Sequence, residues 1–240
     1  MLTRTLVFVS LVLALLAALT LGGCQRSLLA VRQSGDSHFA RGEFAQAQQD
    51  YEEYLSRSPA RPEVHYMLGR TLLAQDRTAA AREQLLLANR LTPENDEVFE
   101  HVCEGLFADK QYEELNRLLR ARTIDRGRMQ DWLMLAEFSR KQGDMDEAQR
   151  ALLTAARVDG GMSIEPQLGL AKVYIAAGDR ERAIQRLRMA YFIDHQNGEI
   201  VTLASSLGEI VGPSFGMTPT ERSFAPMPGT TVTEVPTEKP

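Results

Sequence analysis

The chain has 240 residues, 44% of them hydrophobic, 25% charged and 7% aromatic, with a formal charge of −5. That apolar content suffices for a folded body, while the acidic balance argues against a broad nucleic-acid footprint, because phosphate binding needs a basic surface. Ala, Leu, Arg, Gln and Glu dominate, side chains that lose little rotamer freedom in a helix, and no stretch alternates in the manner of a strand.

The first residues are of another kind. Arg4 is the only charge before Arg26, and the run from Leu6 to Leu21 is apolar apart from Ser10 and Thr20. It is too short to span a bilayer comfortably, which takes about 20 apolar residues. Its order of positive start, hydrophobic middle and small residues is that of an export signal. Leu21, Gly22, Gly23 and Cys24 then resemble the lipobox of bacterial lipoproteins. By that resemblance residues 1–23 are a signal peptide cut before Cys24, and the Cys24 thiol takes a diacylglyceryl group. The protein would sit on a membrane without crossing it, with residues 24–27 as the lipidated link. The alternative is an uncleaved anchor beside an incidental cysteine. Gln25 stands where Asp tends to retain Gram-negative lipoproteins in the inner membrane, so the resemblance implies the periplasmic face of the outer membrane. With Cys24 lipidated only Cys103 remains, and no intramolecular disulfide can form.

From Leu28 the sequence repeats. Pro59 and Pro93 stand 34 residues apart, the period of stacked helix pairs. The first unit, 28–61, has Val31, Gly35, Gly42, Ala47, Tyr51 and Pro59, and the second, 62–95, has Leu68, Gly69, Leu72, Ala81, Leu85, Ala88 and Pro93. A third, 96–128, fits at Phe99, Val102, Cys103 and Leu119, but Leu115 and Arg122 replace small residues and no proline closes it. Two helices with an irregular exit are expected there. The fourth, 129–162, restores the pattern with Trp132, Leu135, Ala136, Gly143, Ala148, Leu152 and Ala155; the fifth, 164–197, has Leu170, Ala171, Gly178, Ala183, Leu187 and Ala190. These units resemble the tetratricopeptide repeat, TPR, in which small residues let two helices approach and a proline ends the second. The resemblance implies an all-α fold, a right-handed superhelix or α-solenoid of about five helix pairs spanning 28–211. A lone helix over 199–211 would cap its open end.

Residues 212–240 hold six of the ten prolines and a run of threonines with almost no apolar periodicity. Such a segment buries too little surface to offset its ordering entropy, and a disordered tail is expected.

No catalytic constellation emerges, since the four histidines are scattered among repeats and no nucleophile, phosphate-loop or zinc-hydrolase motif is present. His65 and His195 fill structural positions of the repeat. His101 and Cys103 lie two apart, which on a helix turns them to different faces, and Cys103 takes the small position where helices meet. No metal or cofactor is expected. What remains is the concave face that the first helices line in TPR proteins. By resemblance this groove shows Tyr66, Met67, Arg70, Leu73, Glu104 and Phe107 from the second and third repeats. Leu133, Met134, Glu137, Arg140 and Lys172 follow from the fourth and fifth. Apolar side chains mixed with isolated charges suit an apolar or amphipathic protein segment. Asparagines of the family's clamp for chaperone tails are missing. The expected function is a non-catalytic, lipid-anchored adaptor in cell-envelope assembly, of the pilus, secretion or outer-membrane assembly type. The alternative is a regulatory or substrate-recruiting subunit of an envelope enzyme.

Overall fold

The computed structural model describes residues 26–224, and all of its regular structure is helical. The lipobox with Cys24, and residues 225–240, lie outside the described residues. The chain divides into two compact units at Lys110/Gln111, between the two helices of the third repeat.

The first unit holds α1 (Leu28–Ala40), α2 (Phe44–Arg57), α3 (Pro62–Leu73), α4 (Thr78–Leu91) and α5 (Asp96–Ala108). Local chemistry sets their starts. The Ser27 hydroxyl accepts from the Ala30 N–H, Pro62 opens α3 where no N–H is needed, and the Asn95 side chain accepts from the Val98 N–H. Helices pair in sequence, α1 with α2 and α3 with α4, and each pair packs on the next helix. The pairs come close because one partner lacks a side chain. A Cβ at Gly35 would sit 2.7 Å from Tyr51 Cε1, and one at Gly69 would sit 2.6 Å from Leu85 Cγ. Val31, Ala47, Tyr51, Tyr54, Val64, Leu68, Leu72 and Ala81 form one buried cluster across both pairs. Cys103 is fully buried at the equivalent small position on α5. His65 is also buried, with one ring nitrogen 2.7 Å from Gln84 Oε1 and the other 2.7 Å from the Pro59 carbonyl.

The second unit holds α6 (Tyr112–Arg126), α7 (Met129–Lys141), α8 (Met145–Asp159), α9 (Ile164–Ala176), α10 (Arg180–Ile193) and α11 (Gly198–Ser206), followed by a short 3₁₀ turn, Thr220–Phe224. Two expectations are corrected here. The exit of the third repeat is ordered: α6 runs to Arg126 and is closed by Gly127 at φ +61°. Arg122, which stands where the repeat pattern has a small residue, is buried, and its Nε lies 3.0 Å from Asp131 Oδ1 on α7. Arg128 Nε reaches the other oxygen of the same carboxylate at 3.0 Å. Burial opposes ionisation of Asp131, but hydrogen bonds from Arg128 and Arg122 outweigh it and hold the carboxyl below its usual range. An ion pair thus fills the place that Ala88, Ala155 and Ala190 take in the second, fourth and fifth repeats.

The second correction concerns the tail. Residues 212–224, expected to be disordered, fold back on α9 and α10. Phe215 joins Leu168, Ala171, Leu187, Ala190, Ile200 and Ala204 in one buried cluster. The Met217 N–H donates to the Arg188 carbonyl at 3.0 Å, and Arg188 Nε donates to the Phe215 carbonyl at 2.9 Å. Arg186 Nη1 lies 2.5 Å from Glu221 Oε1, and fully buried Gln167 bonds both side chains, at 2.9 Å and 3.3 Å. Burial again works against the Glu221 charge; bonds from Arg186, its own backbone and Gln167 win and depress its pKa. Composition alone misleads here because one aromatic and one buried acid, placed against a ready-made surface, suffice to order a proline-rich segment.

Candidate functional site

On a helix, residues spaced i, i+3, i+4 and i+7 share one face. In the second unit two such stripes face a common cleft of about 600 Å³, Leu133, Ala136, Glu137 and Arg140 on α7 and Glu165, Leu168, Gly169 and Lys172 on α9. Leu152 of α8 and Glu199 of α11 complete the lining. Leu152 reaches the cleft because position 169 is glycine: a Cβ there would stand 2.6 Å from Leu152 Cδ2. Leu133, Ala136, Leu152 and Leu168 supply apolar surface, and the charges ring it. Arg140 bonds Glu137 at 2.9 Å, Lys141 lies 3.5 Å from the same carboxylate, and Lys172 Nζ lies 2.8 Å from Glu199 Oε1. Three carboxylates against two cations leave the lining formally acidic by one charge.

Of the groove residues expected in this unit, the cleft brings together Leu133, Glu137, Arg140 and Lys172. Met134 is half-buried and stands outside its lining. Sequence reasoning missed Leu152, Gly169, Glu165 and Glu199. Of these only Gly169, a glycine in mid-helix, carried a signal, because such a position often marks close approach of a neighbour.

In the first unit the expected groove residues are more committed to structure. Tyr66 is buried, and its hydroxyl donates to Glu97 Oε1 at 2.7 Å and lies 3.2 Å from His101 Nδ1. Burial, then the bond to Glu97, push the phenol pKa up, so the hydroxyl stays a donor. The Arg70 guanidinium lies over the rings of Phe39 and Tyr66, 5.1 Å and 5.4 Å from their centroids. Met67 and Leu73 pack against the buried cluster of α1–α4. Glu104 is exposed, 3.8 Å from His101 Nε2, and Phe107 is half-buried. Tyr66 therefore joins α3 to α5 and offers little open surface. His195 is exposed on the turn after α10, with its ring 6.4 Å from that of Tyr191. Among the described residues no three His, Cys, Asp or Glu side chains converge to hold a metal, and no helix is long and apolar enough to cross a membrane.

Models of the tetratricopeptide repeat family match residues 38–100 and 164–189. No curated protein matches the chain in sequence. Among solved structures, the protein MamA superimposes with a TM-score of 0.55 at 18% identity, over 78% of this chain and 98% of MamA. YrrB, described as a TPR protein with an unusual peptide-binding site, gives 0.52 at 16% identity over 75% of this chain and 92% of its own. PilF of Pseudomonas aeruginosa gives 0.54 at 20% identity over 75% and 82%. At such identities the likeness is one of fold. Residues 38–100 and 164–189 thus match tetratricopeptide repeat models, and the paired helices and structural neighbours agree with an all-helical α-solenoid fold.

Proposed function

We propose that this protein is a non-catalytic adaptor of the bacterial cell envelope, held by lipid on Cys24 at the periplasmic face of the outer membrane, that binds a protein partner in the cleft of its second unit. The cleft carries the reading. Its apolar floor of Leu133, Leu152 and Leu168 accepts an aliphatic or aromatic side chain, and its charged rim fixes orientation. The acidic excess favours a partner segment with a basic residue beside the apolar one. TPR proteins mediate protein contacts, and YrrB is described by its peptide-binding site, which supports the same use of the fold. The lipobox residues Leu21 to Cys24 support the anchor, and assembly of pili, secretion systems or outer-membrane proteins is the proposed setting.

A photo-crosslinking residue at position 133 tests the cleft in living cells. It should trap a defined partner, and adding Glu165→Lys, which turns the lining's acidic excess into a basic one, should lower that yield about tenfold, the equivalent of 1.4 kcal/mol. Equal trapping from a position on the outer face of α8, such as Arg150, would remove the cleft from the account.

A further inference from the structure

The start of the described chain is pinned to the first repeat. Arg26 Nη2 lies 2.8 Å from Asp50 Oδ1 and also pairs with Glu53, while Arg57 Nη1 donates to the Arg26 carbonyl at 2.8 Å. Both the side chain and the main chain of Arg26 are therefore held on α2. Asp50 is the firm end of this clasp: its side chain is 6% exposed, and its second oxygen lies 2.9 Å from His38 Nδ1. Burial opposes its charge, but bonds from Ser34, Arg26 and His38 keep the carboxyl below its usual range, so it is ionised near neutral pH. Ser27 then caps α1 without an intervening turn. One residue, Gln25, separates this clasp from Cys24.

We infer that the N-terminal end of the first unit, Arg26, Ser27 and the exposed Leu29, rests directly on the headgroup layer of the membrane that holds the protein. This rests on the lipidation of Cys24 proposed above. Two residues of chain span at most about 7 Å, and the headgroup layer is roughly 5–8 Å thick on each side of the hydrocarbon. A body fixed at Arg26 thus has no tether with which to stand away from the lipid. Leu29, in the first turn of α1, is 65% exposed, an apolar side chain placed where such a surface would cover it. The consequence is a fixed orientation: the first repeat is the membrane-proximal end, and the anchor acts as a mount.

The test uses the full lipidated chain in phosphatidylcholine and phosphatidylglycerol vesicles. Cys24 is alkylated and Cys103 fully buried, so Leu29→Cys supplies the thiol that takes a fluorophore. Lipids carrying a spin label near the headgroup should quench it strongly. Twelve Gly/Ser residues inserted after Gln25, with a mean reach of about 20 Å, should abolish that quenching, and Arg26→Ala with Arg57→Ala should reduce it. Circular dichroism checks that every variant keeps its helices. Lipidated but unquenched protein overturns the inference. Quenching that survives the insertion or the double substitution also overturns it, since the clasp would then not set the distance. An N-terminal peptide without lipid by mass spectrometry instead overturns the anchor itself.

Discussion

The two units solve the same problem, a stack of helix pairs with open ends, by opposite means. In the first, the ionic contact at the chain start is local: Arg26 meets Asp50 and Glu53 within one hairpin, and Arg26 itself is half-exposed. In the second, the central pairs are buried on both sides. Arg122 and Arg128 share Asp131 across a helix junction, and Glu221 returns to Arg186 and Gln167 from beyond the last helix. Position in the fold therefore decides what a charge contributes. A half-exposed pair orients a segment, because water competes for both partners, whereas a buried one makes its neighbours dependent on it, because an unpaired buried charge is costly.

The largest expected effect is where burial is deepest. Asp131→Ala leaves the buried Arg122 without this carboxylate and should destabilise the second unit by about 3–5 kcal/mol. Asp50→Ala should cost the first unit only about 1 kcal/mol, since its cationic partner remains hydrated. Hydrogen exchange followed helix by helix gives both values, and equal losses would break the contrast. Glu221→Gln comes next. It weakens a charged hydrogen-bond set worth about 1.5–3 kcal/mol and should expose 212–224 to protease while α9 and α10 keep their protection. The same contact predicts an acid response. The folded pKa of Glu221 lies below its unfolded value of about 4.3. Its stabilisation is therefore complete above that value and is lost as pH falls through the depressed one. Wild-type 212–224 should lose exchange protection as pH falls below the ordinary carboxylate range, and Glu221→Gln should show no such transition.

The smallest effect has the opposite sign. The turns inside the helix pairs place one residue at positive φ, and it is glycine at 42, 143 and 178 but Asp76 and Lys110 in between. Lys110, at φ 57°, bears a strain that glycine avoids. Lys110→Gly should therefore stabilise by about 0.5–1 kcal/mol after the greater freedom of unfolded glycine is counted. A melting temperature that falls would show that the Lys110 side chain contributes something the turn geometry does not reveal.

Much of the fold was legible because the repeat is a local code. The first helices of the pairs begin at Leu28, Pro62, Asp96, Met129 and Ile164, where the pattern of small and apolar residues restarts. Gly35 and Gly69 marked helix contacts for a steric reason visible in one residue at a time. The cleft was half legible: Leu133, Glu137, Arg140 and Lys172 follow from helical phase alone. Leu152 does not, since it lies on a second helix and enters only because Gly169 stands aside. Tyr66 shows the converse, a residue in the right phase whose ring and hydroxyl are taken by Glu97 and His101.

The sequence by itself determined the helix pairs, their period, the small residues at their contacts and the likeness to TPR proteins, because each depends on neighbours three, four or thirty-four positions away. Tertiary structure alone decided that Arg122 is buried with Asp131, that residues 212–224 dock through Phe215 and Glu221, and that Arg26 is clasped to α2. Those contacts join residues without periodic relation, and their strength comes from burial, which a linear pattern does not carry.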